Sequence, residues 1–284
     1  MRLPLAILLI PSLALAAPKG HQMTETKGAG TAPTSKTASV CGVKVLPVSV
    51  GNTWTYKMVP APIPPDDQIK RISPPQPNQI VITVKAVDAK KGADTVVTLE
   101  EKTTTDLTKD PKKPLLDEHT ITTTITCNAK KFEISPDSFW FAGEPGGYVN
   151  LKLDGVEHPK GTSWQLTNGG IGDAEWREDL TAKWTRVPTQ GSDAKLGSGK
   201  LELERRFTPQ QPESIKTTLG TYNSEKLGLI TTGRVTLDGA AADAKPMELP
   251  ANWVSTLWIA EGAGVVQTLN AYAHMYQLTD VKLK

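Results

Sequence analysis

The side chains best suited to metal binding and to acid–base catalysis are few in this chain. Its four histidines are His21, His119, His158 and His274, and its two cysteines are Cys41 and Cys127. None of them stands at a His-x-His, His-Glu-x-x-His or Cys-x-x-Cys spacing, so no local stretch supplies a ligand set. We therefore predict neither a metal site nor a cofactor.

Motifs for nucleophilic and phosphoryl chemistry are also missing from the sequence. There is no Gly-x-Ser-x-Gly elbow. Residues 197–200, Gly-Ser-Gly-Lys, resemble the end of a phosphate-binding loop, but Ala194 stands in place of the first glycine and Leu201 in place of Ser or Thr. We interpret this segment as a hairpin turn.

Paired carboxylates are the remaining candidates for catalysis. Glu100 and Glu101 are neighbours in a predicted strand, so they point to opposite faces and do not converge on one substrate. We therefore expect a protein without enzymatic activity. A hydrolase with dispersed catalytic residues stays open as an alternative, and a pocket with a histidine beside a serine or a carboxylate would support it.

The first sixteen residues predict export from the cell. Arg2 gives a positive start, residues 3–15 are mostly Leu, Ile and Ala, and residues 14–16, Ala-Leu-Ala, form a signal-peptidase site. The apolar run is shorter than the roughly twenty residues that cross a bilayer. Residues 17–40 are small and polar, which predicts a disordered linker. We expect a periplasmic or extracellular protein without a transmembrane segment.

Cys41 and Cys127 are an even pair in a chain predicted to be exported. Such a pair most simply forms one disulfide in an oxidising compartment. The bond would close a long loop and contribute about 4 to 5 kcal/mol in the chain-entropy model. Two free thiols, or a metal site, are the less favoured alternatives.

Residues 41–284 are predicted to form a single β-rich domain. Charge gives no electrostatic case for nucleic acid as a partner, because the 32 Lys and Arg of the whole chain nearly balance its 30 Asp and Glu. Strand patterns recur about every ten residues, with Gly, Asn, Asp and Lys between them. They favour an all-β fold with very little helix: an antiparallel curved sheet, a half-open barrel or a sandwich.

Some boundaries within this domain are less regular. Seven prolines in residues 60–77 predict an extended loop, which could be a rim of the sheet or a simple insertion. Residues 175–187 fit a helix or a strand, and their threonines favour the strand. We place a hairpin turn at residues 154–155, and separate strands at 199–207, 214–219, 222–229 and 230–237.

Residues 46–56, Leu-Pro-Val-Ser-Val-Gly-Asn-Thr-Trp-Thr-Tyr, predict a turn at Gly51-Asn52 followed by the first strand. Alternation puts Trp54 and Tyr56 on one face of that strand. Three further tryptophans are candidates for the same core or ligand-binding face. The full set of candidates is Trp54, Tyr56, Trp140, Trp164 and Trp258. Core packing is the favoured role, because each ring can bury on the order of 200 Å².

The same opening segment resembles that of a group of poorly characterised exported bacterial envelope proteins, in which it has the form Phe-Pro-Leu-x-x-Gly-Asn-x-Trp-x-Tyr. Residues 215–222 and 257–267, the latter Leu-Trp-Ile-Ala-Glu-Gly-Ala-Gly-Val-Val-Gln, are similar to a middle segment and to a Trp-x-Ala-x-Gly-x-Gly-x-Val ending of that group. Leu46 and Gln267 depart from the usual aromatic residue and lysine. The resemblance implies an all-β envelope domain, similar to the half-barrels of lipoprotein-localisation carriers, and implies no catalytic residues.

Three functions follow as hypotheses. The first is a non-enzymatic binding module that holds an apolar small molecule or the surface of an envelope protein. The second is a structural or adaptor domain of an envelope assembly without a small ligand, and the third is the hydrolase above. A filled interior would disfavour an apolar ligand, and the sequence does not indicate the oligomeric state.

Overall fold

A computed structural model describes residues 32–34, 46–63, 67, 73, 75–89, 94–128, 132–141, 151–158, 166–167, 170–172, 174–186, 197–238 and 245–284. Within these ranges nearly all regular structure is β-strand. One 3₁₀ helix, Phe139–Phe141, follows the fifth strand. No helix in the described ranges is long and apolar enough to cross a membrane.

Fourteen strands follow one another along the described chain. The first seven are β1 Thr53–Val59, β2 Gln79–Ala89, β3 Thr95–Asp106, β4 Leu116–Cys127, β5 Phe132–Ile134, β6 Leu151–Glu157 and β7 Leu166–Thr167. The second seven are β8 Gly170–Ile171, β9 Trp176–Arg186, β10 Ser198–Thr217, β11 Gly220–Leu237, β12 Met247–Ala260, β13 Gly264–Leu269 and β14 Met275–Lys282.

Twelve of these strands form one antiparallel sheet, which confirms the predicted fold class. Their order is β5-β4-β3-β2-β1-β14-β13-β12-β11-β10-β9-β6, and β7 and β8 pair separately. β1 lies between β2 and β14, so the start and the end of the domain meet at the centre of the sheet. The sheet is open, and β5 and β6 are its two end strands.

The strand predicted at residues 175–187 is confirmed as β9, whereas two predicted breaks, between 207 and 214 and between 229 and 230, are wrong. Residues 199–207 and 214–217 belong to the single strand β10, which ends at Thr217, and residues 222–237 belong to the single strand β11. β9 begins at Trp176, which pairs with Phe207 of β10. Beyond Phe207, the edge of β10 that faced β9 has no strand partner in the described ranges, so Pro209 and Pro212 are accommodated there without loss of a ladder hydrogen bond. A register shift between Gln210 and Glu213 absorbs the local irregularity.

The two predicted hairpin turns are also wrong. Residues 154–155 lie inside β6, where the register against β9 skips between Asp154 and Glu157. Gly155 takes a positive φ of 60°, so the pair forms a β-bulge, which demands the same residue types as a tight turn. Residues 198–200 of the segment 197–200 already belong to β10.

Two hydrophobic clusters lie on the sheet. The larger one collects side chains from most strands and includes Trp54, Tyr56, Trp140 and the stacked pair Trp176 and Phe207. The smaller one joins β6, β9, β10 and β12 through Leu153, Leu180, Trp184, Leu203 and Ala251. Alternating apolar residues place these side chains on one face of each strand, as strand geometry requires.

Candidate functional site

Three of the five predicted aromatic residues form one cluster at the centre of the sheet. Trp54 and Tyr56 project from β1, and Trp140 belongs to the 3₁₀ helix after β5. All three side chains are fully buried. The Trp54 and Trp140 rings meet edge to face, with centroids 4.8 Å apart at 86°. This geometry is favourable for aromatic pairs, so the rings fill the space that a ligand would need.

The polar atoms of this cluster hydrogen-bond within the protein. Trp140 Nε1 donates to the hydroxyl of Tyr56 at 2.8 Å. That hydroxyl donates to the carbonyl of Val265 at 2.7 Å, and Trp54 Nε1 donates to the carbonyl of Ala263 at 2.7 Å. Burial raises the pKa of Tyr56 well above its usual range, so the hydroxyl stays protonated. The cluster is therefore built as a core and offers no free donor to a ligand.

These hydrogen bonds join two of the three segments that carried the family resemblance. Ala263 lies in the turn between β12 and β13, and Gly262 and Gly264 on either side have positive φ values of 70° and 85°. Glycine tolerates this backbone conformation, which presents the turn carbonyl to the indole of Trp54. The paired motifs thus have an architectural role, holding the start of the domain against its end.

Asn52 completes this connection next to β1. Its side-chain amide donates to the carbonyl of Pro47 at 2.5 Å and accepts from the backbone N–H of Lys284 at 3.0 Å. Asn52 is fully buried, so both contacts are shielded from water. The predicted turn at Gly51-Asn52 is confirmed, with Gly51 at φ 86°.

Trp258 does not share a face with this cluster. Tyr56 pairs with Leu278 and Met58 with Tyr276 across β1 and β14. Tyr276 pairs with Thr268, which pairs with Leu257, so Leu257 lies on the Tyr56 face and its neighbour Trp258 on the other. The five aromatic residues therefore do not line one surface, and Trp164 lies outside the described residues.

Trp258 packs within the larger hydrophobic cluster, and charged side chains cover its indole N–H and one face of its ring. Its indole N–H donates to Glu213 Oε2 at 2.9 Å. The ammonium of Lys226 lies 5.1 Å from the ring centroid and 3.0 Å from the same carboxylate oxygen. Cations are attracted to the indole face, so the three groups form a compact cover over this side of β12.

A carboxyl group that the sequence did not single out supports the central cluster. Glu101 of β3 is buried, whereas the Glu100 side chain, on the opposite face as predicted, is 43% exposed. Glu101 Oε2 accepts from the backbone N–H of Phe139 at 2.8 Å, and Oε1 accepts from Thr123 Oγ1 at 2.5 Å. Burial raises the pKa of Glu101 to about 7, against the opposing effect of these hydrogen bonds. Glu101 thereby fixes the 3₁₀ helix that carries Trp140.

A buried ion pair was also missed by sequence reasoning. Arg205 Nη1 lies 3.1 Å from Glu178 Oε1, and both side chains are fully buried. The two residues are directly opposite across β10 and β9. Burial raises the pKa of Glu178, and the charge of Arg205 opposes that shift. The signal in the sequence was a charged residue at an apolar position of each alternating strand.

Two histidine contacts test the hydrolase hypothesis. Ser73 Oγ lies 3.4 Å from His274 Nε2, and His119 Nε2 lies 2.9 Å from Asp117 Oδ2. Burial lowers the pKa of His274. Gln76 accepts from the side-chain amide of Asn270 at 2.9 Å, so Ser73 and His274 lie where the proline-rich segment docks on the β13–β14 turn. No described carboxylate bonds to the ring of His274, so this pair lacks a third catalytic group within the described chain.

Two further features concern ligands. A surface pocket of about 610 Å³ lies between β8 and the irregular part of β10. It is lined by Ile171, Gly172, Pro209, Gln210, Gln211, Pro212, Glu225 and Lys226. Among the described residues no group of three or more His, Cys, Asp and Glu side chains could hold a metal ion.

Cys127 is buried at the end of β4, but Cys41 lies outside the described residues, so their disulfide stays a prediction.

Comparisons with known proteins find similar solved structures. No family model matches the chain, and no curated protein matches it. One similar solved structure is a protein from Bacteroides fragilis, inferred to be exported and with a YmcC-like fold; it has a TM-score of 0.47 and 12% identity over 84% of this chain and 99% of that one. Another is an inferred lipoprotein from Parabacteroides distasonis, with a TM-score of 0.44 and 13% identity over the same shares of the two chains.

Proposed function

We propose that this chain is an exported, non-enzymatic envelope domain that binds a protein partner and carries no apolar ligand inside its sheet. The observation that supports this proposal is the closed cluster of Trp54, Tyr56 and Trp140, whose rings pack on one another and whose polar atoms bond within the chain. Ligand sites are instead concave, with polar groups left to orient the ligand.

Export is part of the proposal and rests on the sequence. Residues 1–16 have the positive start, apolar run and small-residue cleavage site of a signal peptide. Chemistry on a substrate is not part of the proposal. The Ser73–His274 contact lies where the proline-rich segment docks on the β13–β14 turn. Both oxygens of Glu101 and Oε1 of Glu178 bond to groups of the chain itself.

The first experiment separates a partner-binding domain from a carrier of apolar molecules. The protein is produced with its signal peptide, purified from the periplasm or the medium, weighed by native mass spectrometry and extracted with organic solvent. We expect the mass of the polypeptide alone and an extract without stoichiometric lipid. A lipid or other apolar species that is retained at one copy per chain would overturn the proposal.

The second experiment looks for the partner in intact cells. A photo-reactive amino acid replaces Ile63, Leu116 or Val254, which are exposed apolar residues on separate parts of the surface, 82%, 50% and 62% exposed. We expect one discrete adduct of constant mass from one position, and no adduct from the other two, which serve as matched controls. Absence of any adduct at all three positions and at further surface positions would contradict partner binding.

A further inference from the structure

The two end strands of the open sheet approach each other at one point. β5 ends the sheet on one side and β6 on the other. Glu133 is the middle residue of β5, and His158 follows the last residue of β6. Glu133 Oε1 and His158 Nε2 are 3.4 Å apart, and the two side chains are 24% and 19% exposed. A contact between side chains thus connects strands that make no backbone ladder with each other.

The protonation state of His158 decides whether this contact attracts or repels. Its other ring nitrogen, Nδ1, lies 3.1 Å from the backbone carbonyl of Asp179. A carbonyl oxygen can only accept, so Nδ1 must carry a proton. In the neutral ring Nε2 then holds a lone pair that faces the carboxylate of Glu133. In the charged ring Nε2 carries a proton and donates a charge-assisted hydrogen bond.

Charged groups of three strands lie at or near the contact. Glu133 comes from β5, Glu178 and Asp179 from β9, and Arg205 from β10. Glu178 interacts electrostatically with His158, Glu133, Asp179 and Arg205. Glu133 and the backbone carbonyl of Asp179 contact the imidazole directly, whereas Arg205 contacts Glu178.

The position of the contact gives it a structural consequence. The Glu178–Arg205 pair lies on the β9–β10 face between Trp176 and Phe207 of the larger hydrophobic cluster and Leu180 and Leu203 of the smaller one. Separation of the end strands would bring water towards a charged pair that is now fully buried. Glu178 interacts electrostatically with both His158 and Glu133, so the contact lies beside this buried pair.

We propose that His158 and Glu133 form a pH-dependent clasp between the two end strands of the sheet. The clasp is closed when the ring is protonated and is released when the ring loses its proton. This inference is independent of the proposed partner and concerns the conformation of the chain itself.

Hydrogen exchange and NMR on the full mature chain test the clasp. After correction for intrinsic exchange, we expect peptides that contain 132–134 and 151–158 to exchange about fivefold more slowly at pH 5.5 than at pH 8, relative to peptides of β1 and β14. ¹⁵N spectra of the imidazole should show Nδ1 protonated at both pH values and Nε2 protonated only at the lower one. Equal relative protection at both pH values would overturn the proposal.

Substitutions of Glu133 and His158 test whether this contact is the source of the pH dependence. In Glu133→Gln the amide N–H can donate to the neutral Nε2, so protection at pH 8 should rise to its pH 5.5 level. In His158→Gln the pH dependence should disappear. His119→Gln is the matched control, because it removes a histidine–carboxylate contact within β4 and should leave the end strands unchanged. If His158→Gln does not fold, hydrogen exchange of Glu133→Gln and the imidazole spectra of the wild type still test the clasp. The same pH dependence of exchange in Glu133→Gln as in the wild type would contradict it.

Discussion

At the scale of single residues, the buried polar side chains organise the aromatic core. Tyr56 accepts from one indole and donates to a backbone carbonyl, while Glu101 binds the first N–H of the 3₁₀ helix. Buried polar groups without partners cost roughly 1 to 3 kcal/mol each, so each of these contacts makes one arrangement of the rings preferable to the alternatives. The position of Trp140 therefore depends on a carboxyl group as much as on apolar contact.

Glu101 should make the stability of the protein depend on pH. Its pKa is about 7 in the folded state, above the ordinary value of 4.5, so the folded chain holds the proton more tightly than the unfolded chain. The free energy of unfolding should then fall as the pH rises from about 4.5 to about 7, by about 3 kcal/mol in total, and level off above it. Urea unfolding of Glu101→Gln, which is neutral throughout, should lack this fall.

Glu100→Gln is the matched control for that measurement. It alters the neighbouring carboxylate, whose side chain is 43% exposed and paired with Lys85 on the outer surface. This variant should keep the wild-type fall in stability. An equal pH dependence in Glu101→Gln and in the wild type would show that Glu101 is not its source.

At the scale of the strands, the long hairpin of β10 and β11 requires glycine at close approaches. Gly233 pairs with Leu203 and has a φ of 144°. A Cβ atom added there would lie 2.1 Å from the carbonyl oxygen of Glu202, which is far inside contact distance. Neighbouring backbone would have to move, in a strand that β12 also holds in place.

Gly233→Ala should therefore cost more than about 2 kcal/mol, since it combines a disfavoured φ with a backbone clash. Gly155→Ala is the control, because Gly155 also has a positive φ, 60°, but nothing lies within 4 Å of an added Cβ. Its cost should be about 1 kcal/mol, the strain of the left-handed conformation alone. Urea unfolding measures both losses, and equal values would exclude the clash as the cause.

At the scale of the whole molecule, the chain ends are tied to the middle of the sheet. β1 and β14 are neighbours at its centre, and Asn52 bonds to Lys284. The predicted disulfide would add a second tie, between residue 41 and the end of β4. Long-range ties of this kind restrict the unfolded chain more than the folded one.

Mass spectrometry of the exported protein should find a chain that begins at Ala17 and weighs two hydrogens less than its reduced form. Cys41→Ser should lower the free energy of unfolding by about 4 to 5 kcal/mol, and Cys41→Ser/Cys127→Ser by a similar amount, because both variants remove one bond. Alkylation of both cysteines in the denatured, unreduced wild-type protein would contradict the disulfide.

The sequence by itself determined the fold class and the central strand. Period-two alternation and turn residues are local properties, and they correctly placed β1, β2, β4 and β9 and put Trp54 and Tyr56 on one buried face. The break in β10 was predicted wrongly, because a proline is excluded from a strand only where a neighbour needs its N–H. The break predicted in β11 between residues 229 and 230 was also wrong. Whether β9 pairs with β10 at Pro209 and Pro212 depends on how the whole sheet is assembled.

Only the tertiary structure decided which residues meet. The Glu178–Arg205 pair, the contacts of Glu101 and the separation of Trp258 from Trp54 all depend on strand order and register. These arise from contacts between segments far apart in the chain, with Trp54 and Ala263 separated by 209 positions. Local periodicity specifies the face on which a side chain lies, but the packing of the complete sheet selects its partner.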